Sequence, residues 1–138
     1  MTTIAWDGVS LCSDSLLTSD RIRSGFAKKI FRLVDGGRVG VAGQFSAASV
    51  VVDWLKSGRA EKPNDDLDFA AIWIQADGSV WCIESDFNPY PMSGACAIGS
   101  GSDIALAALT LGKTAREAVE LAIKLDCMSG GDIDELVL

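Results

Sequence analysis

The chain has 138 residues, 49% of them hydrophobic, with three prolines and a formal net charge of −7. That length fits one domain spanning 1–138, and the composition supports a substantial core and excludes a disordered chain. The acidic balance disfavours nucleic acid and anionic lipid as partners, and no apolar run reaches the ~18–20 residues that cross a bilayer.

Residues 2–6 and 9–14 are apolar-rich and flank Asp7-Gly8, a strong hairpin signal. A second hairpin is expected from 28–34 and 38–43 around Asp35-Gly36-Gly37. Residues 45–58 read as a helix: Phe45, Ala48, Val52 and Leu55 recur at helical spacing and Gly58 follows as a stop. A polar connection at 59–66 leads to strands at 69–76 and 79–85 around Asp77-Gly78. Residues 88–94 read as irregular, and 95–102 as a strand running into a helix start. Helices are expected at 102–111 and 115–128. Thr114 and Glu117 form a capping box for the second, and Ala118, Leu121, Ala122 and Leu125 mark its apolar face. A short strand closes the chain after Ser129-Gly130-Gly131. Hairpins first and helices later give an α+β class.

Several chemistries can be set aside. The chain contains no histidine, which removes Ser-His-Asp and Cys-His catalysis and histidine metal sites. Cys12, Cys82, Cys96 and Cys127 never form C-x-x-C; buried free thiols are the first reading, a disulfide or zinc site the lesser one. No metal and no cofactor are expected. There is no basic region followed by an apolar one at the start, so no secretory signal is read and the cytoplasm is expected. Gly112-Lys113-Thr114 lacks the earlier glycine of a phosphate loop, and residues 99–104 lack the third glycine of a dinucleotide fingerprint. Arg21, Arg23, Lys28 and Arg32 read as a solvated surface, with Lys29 set apart.

What remains is a hydroxyl that supplies its own base. Removal of Met1 would leave Thr2 with a free α-amine, whose ordinary pKa of about 7.7–8.0 suits a general base. Such a nucleophile needs a cation beside it, a carboxylate to hold the cation, and backbone N–H donors for an oxyanion.

The segments TTIAWDG (2–8), CSDS (12–15), AKKIFRL (27–33), VAGQFSAAS (41–49), AIGSGS (97–102) and LDCMSGG (125–131) supply those parts in order. Together they resemble a proteasome β-type subunit of the N-terminal-nucleophile (Ntn) hydrolases, and more specifically the bacterial HslV-type peptidase. The resemblance implies a four-layer αββα sandwich, two antiparallel sheets covered by helices, with a trimmed helical layer. It implies Thr2 as nucleophile, Lys29 tuning the amine and stabilising the oxyanion form, Asp14 holding Lys29, and Gly43 N–H at the tetrahedral intermediate. Ser100, Asp126 and Ser129 would orient the amine and the resolving water. Each has a plain structural alternative: a strand start, a surface ion pair, a turn glycine, a helix cap or a helix stop.

By the same matching, an extended peptide or unfolded protein would pair with backbone near Thr18. Leu17, Ala27, Phe31, Val41 and Phe45 would line the pocket for the residue before the cleaved bond, which implies cleavage after medium apolar residues. The sequence departs from the family in a shorter first hairpin, one residue fewer between Asp14 and Lys29, no second long helix after 45–58, and an early end. Those departures bear on ring size, ring stacking and docking to an unfolding ATPase. A homo-oligomer is still expected, from an apolar second side of the first helix at Val50, Val51 and Trp54. Two other readings stay open: a non-catalytic scaffold subunit that keeps Met1, and a small-molecule amidase of the wider Ntn group. A bacterial and a viral source are equally compatible.

Overall fold

The computed structural model describes residues 2–20, 22–64 and 66–138; Met1, whose removal was expected, Arg21 of the basic run, and Asp65 lie outside the described residues. The Asp7-Gly8 hairpin forms as expected, with β1 (Ile4–Trp6) antiparallel to β2 (Ser10–Ser13) and Trp6 opposite Leu11. The Asp7 carboxylate accepts the N–H groups of Val9 and Ser10, which holds the turn.

The next element was not foreseen. β3 (Leu16–Ser19) and β4 (Ile22–Phe26) form a separate two-stranded sheet with a register shift between Leu17 and Thr18. Its signal is weak because β4 is mostly exposed and its apolar residues Ile22 and Phe26 face solvent. β5 (Ile30–Arg32) and β6 (Arg38–Gly43) follow, and then α1 (Ala47–Lys56). The sheet continues through β7 (Phe69–Ile74) and β8 (Val80–Glu84). Residues 88–94, read as irregular, contain β9 (Tyr90–Met92), an exposed edge strand paired to β8 despite Pro91. β10 (Cys96–Ile98), α2 (Ser102–Thr110), α3 (Ala115–Leu125) and β11 (Asp134–Val137) complete the chain. The Thr114–Glu117 capping box is formed.

Two antiparallel sheets result, one of order β10-β1-β2-β11 and one of order β5-β6-β7-β8-β9. Strand alternation divides their side chains among three apolar clusters. Ile4, Trp6 and Leu11 of the four-stranded sheet meet Ala42, Ile72 and Ile74 of the five-stranded one. The opposite face of the five-stranded sheet offers Val39, Val41, Ala71 and Trp73 to α1. The opposite face of the four-stranded sheet offers Ala5 and Cys12 to Ala105, Ala118 and Val119 of α2 and α3. The fold is therefore an α+β sandwich of two packed sheets with three helices. Among the described residues no helix is long and apolar enough to cross a membrane.

The helix faces differ from the sequence reading. On α1 the buried residues are Ala47, Val51 and Trp54, while Phe45, just before the helix, is 61% exposed. Val51 and Trp54 thus serve the core rather than a second apolar side; Trp54 stands edge-on to Phe87 with centroids 5.2 Å apart. On α3 the buried face is Ala115, Ala118, Val119 and Ala122, leaving Leu125 67% exposed. Small residues win there because the helix lies close to α2 and the sheet, where leucines do not fit. All four cysteines are free; Cys127 is exposed, contrary to expectation, because it follows the end of α3.

Candidate active site

Thr2 and Thr3 lead into β1 and are both buried, at 4% and 0% exposure. Three other segments hold them there. Asp14, directly after β2, donates its N–H to Thr3 O at 3.1 Å, and its Oδ1 accepts Thr3 N–H at 3.0 Å. The same oxygen accepts Lys29 Nζ at 2.8 Å, and Lys29 also donates to Leu16 O at 2.7 Å. Asp14 Oδ2 accepts Gly130 N–H at 3.0 Å. Asp14 is wholly buried and Lys29 nearly so, which rules out the surface-pair alternative. Burial pushes the Lys29 ammonium below the ordinary lysine range, and the Asp14 charge opposes that shift.

A second set of contacts comes from the turn between β10 and α2 and from the loop after α3. Thr2 N–H donates to Ser100 Oγ at 3.1 Å. Ser100 Oγ has Asp126 Oδ2 at 2.6 Å and Thr2 O at 3.3 Å. Its single proton belongs to the shorter, charge-assisted contact with the carboxylate. Ser129 Oγ donates to the same Asp126 oxygen at 2.7 Å, so Thr3 Oγ1, 2.7 Å from Ser129 Oγ, is the donor in that pair. Met128 N–H reaches Asp126 Oδ1 at 3.2 Å. Burial alone would push the Asp126 carboxyl up, but the hydrogen bonds from Ser100, Ser129 and Met128 outweigh it and hold it below the usual carboxylate value.

Two glycines permit this assembly. Gly99, at φ +96°, passes so close to Thr2 that an added Cβ would collide with the Thr2 carbonyl. Gly43, at φ +111°, ends β6 against β7, where a Cβ would lie 2.6 Å from Asp68 O.

The structure thus brings Thr2, Asp14, Lys29, Ser100, Asp126 and Ser129 into one hydrogen-bonded network. Gly43 joins Thr2 and Lys29 at a cavity of about 230 Å³. Of the expected pocket residues, Leu17, Thr18, Val41 and Phe45 line that cavity. Ala27 and Phe31 do not. Phe31 alternates with Ile30 along β5 and packs on the α1 side of the sheet, while Ala27 is tied by its N–H to Ser15 O at 2.9 Å. Lys28, Gln44 and Ala48 line the cavity instead. Thr3 and Gly130 were missed as site residues. Both meet Asp14 through backbone N–H groups, which carry no residue-type signal in the sequence.

No protein-family model and no curated protein sequence matches the chain. Solved structures do. Eukaryotic HslV from Trypanosoma brucei superposes with a TM-score of 0.77 at 24% identity, covering 99% of this chain and 97% of that one. The chain has the HslV fold. BPH from Thiobacillus denitrificans, solved in complex with epoxomicin, matches at a TM-score of 0.76 and 17% identity over 99% of this chain and 97% of that one. A further BPH structure from the same organism gives 0.74 at 19%, over 99% and 96%.

Proposed function

We propose that this chain is a threonine peptidase: a single Ntn-hydrolase domain with αββα layering, trimmed in its helical layer, that cleaves peptide bonds through an acyl-enzyme at Thr2. The observation that carries this reading is that one network holds Thr2 and the adjoining Thr3, with Thr3 on the Asp14–Lys29 pair and Thr2 on Ser100 and, through it, Asp126. Such convergence of a buried ion pair and a hydroxyl-bearing first residue has little purpose in a simple strand start.

With Met1 removed, the Thr2 nitrogen is an amine directed at Ser100. It takes the proton from its own hydroxyl as Oγ1 attacks the scissile carbonyl. Lys29, held by Asp14 and Leu16 O, disfavours protonation of the amine and stabilises the negative oxygen. The Gly43 N–H receives the oxyanion of the tetrahedral intermediate. Collapse breaks the C–N bond, and the leaving amine takes the proton from the Thr2 ammonium. Water then attacks the ester with the same amine as base, and Ser129 and Asp126 help to position it. The protein works as a cytoplasmic homo-oligomeric ring on peptide or unfolded-protein substrates; an ATPase partner belongs to this reading only as an option to test by co-purification.

The experiment is intact-mass analysis with and without epoxomicin, the ligand bound by one structural neighbour. Loss of one methionine and addition of one inhibitor, both dependent on Thr2 when compared with Thr2→Ala, is the expected result. A retained methionine without adduct, in protein from its native host, overturns the peptidase reading and favours a scaffold subunit.

A further inference from the structure

The cavity beside Thr2 is more polar than a purely apolar pocket. Leu17, Val41, Phe45 and Ala48 give it apolar walls, but Thr18, Gln44 and Lys28 line it too. Thr18 Oγ1 is buried with no hydrogen-bond partner among the described residues. That hydroxyl is closed off from solvent, so Thr18 meets the cavity through its other atoms. The Gln44 carboxamide oxygen accepts Asp68 N–H at 2.9 Å, which leaves the amide N–H groups as the end available to donate. Lys28 is exposed and, unlike Lys29, is in no ion pair among the described residues. Among the described residues no carboxylate lines this cavity, whereas the neighbouring one across Gly43 is lined by Asp68 and Glu84. On a chain of net charge −7, a carboxylate-free cavity with lysine at its edge is a local exception.

Resting on the peptidase reading above, we propose that this cavity selects the side chain on the acyl side of the cleaved bond by its oxygen-bearing end: glutamate first, glutamine second. A glutamate lays its methylene stem along Leu17 and Val41 and presents its carboxylate to donors from Gln44 and Lys28. A leucine fills the walls but gains nothing from the Gln44 donors or the Lys28 charge. A lysine meets the charge of Lys28. This replaces the selectivity for medium apolar residues that the resemblance implied.

The test is a set of four fluorogenic peptides differing only in that residue (Glu, Gln, Leu, Lys), with wild type, Lys28→Glu and Thr2→Ala. Wild type is expected to favour Glu over Leu by about tenfold in kcat/KM, with Gln between them and Lys last. Lys28→Glu is expected to invert the order of Glu and Lys, and added salt to narrow the wild-type Glu advantage. Thermal melting of each variant confirms folding, and Lys28, being exposed, is not needed for it. Leu ahead of Glu in wild type, or an unchanged order in Lys28→Glu, overturns the proposal. If epoxomicin labels Thr2 while Leu leads, only the selectivity falls. If none of the peptides is hydrolysed in a Thr2-dependent way, the peptidase reading falls with it.

Discussion

Two carboxylates support the segment that carries Thr2 and Thr3, and they are stabilised in different ways. Asp14 has no solvent exposure and is balanced by a full positive charge, Lys29, with two backbone N–H groups completing its shell. Asp126 is partly exposed, has no cation among the hydrogen-bond partners described above, and relies on two serine hydroxyls and one N–H. The difference separates contacts that hold the architecture from contacts that, under the proposed function, would orient the reacting groups. A buried ion pair is costly to break from one side, because the surviving charge stays in a low-dielectric site. A hydroxyl-solvated carboxylate near the surface can lose a partner to water.

Removing Asp14 is therefore the strongest way to break this comparison. Asp14→Ala strands the Lys29 ammonium and is expected to cost about 3–5 kcal/mol of stability, read from urea unfolding, with peptidase activity lost. The double variant Asp14→Leu with Lys29→Met should be destabilised by less than the sum of the two single changes, since it removes both charges together. Additive losses would mean that the pair is not coupled as its 2.8 Å contact indicates.

Asp126→Asn sits lower on the scale. Loss of the charged acceptor is expected to cost about 1.5–3 kcal/mol at most, less with solvent access, and to lower kcat more than it raises KM. Its pH signature sharpens the contrast. The folded Asp126 carboxyl lies below its unfolded value of 3.8, so its stabilisation is fully present above 3.8 and is lost as pH falls through the folded value. The acid limb of melting temperature against pH should consequently be shallower in Asp126→Asn; an identical limb would assign the acid sensitivity elsewhere. Smallest is Ser129→Ala, expected at about 1 kcal/mol by equilibrium unfolding, because Thr3 Oγ1 loses its acceptor while Asp126 keeps Ser100 and Met128.

Much of the site was legible because its chemistry depends on residue type. A threonine behind the first methionine, an aspartate, a lysine and two serine-bearing glycine segments are visible as letters. The contacts of Thr3 N–H and Gly130 N–H with Asp14 were not, because every residue except proline carries the same donor. The pocket residues were only partly legible. Phe31 was misplaced because its side depends on the pleat of β5 and on which sheet lies beneath it.

The same division runs through the fold. Sequence alone determined the turns at Asp7-Gly8, Asp35-Gly37 and Asp77-Gly78 and the cap of α3, since those features are decided by atoms within three or four residues of one another. Tertiary structure decided which face of α1 is buried, why Leu125 of α3 stays in solvent, and that Leu16–Ser19 pairs with Ile22–Phe26 beside the site. Those outcomes depend on how closely distant segments approach. Burial of Val51 and Trp54 is favoured by the sheet that lies opposite them, and no local pattern encodes where that sheet will be.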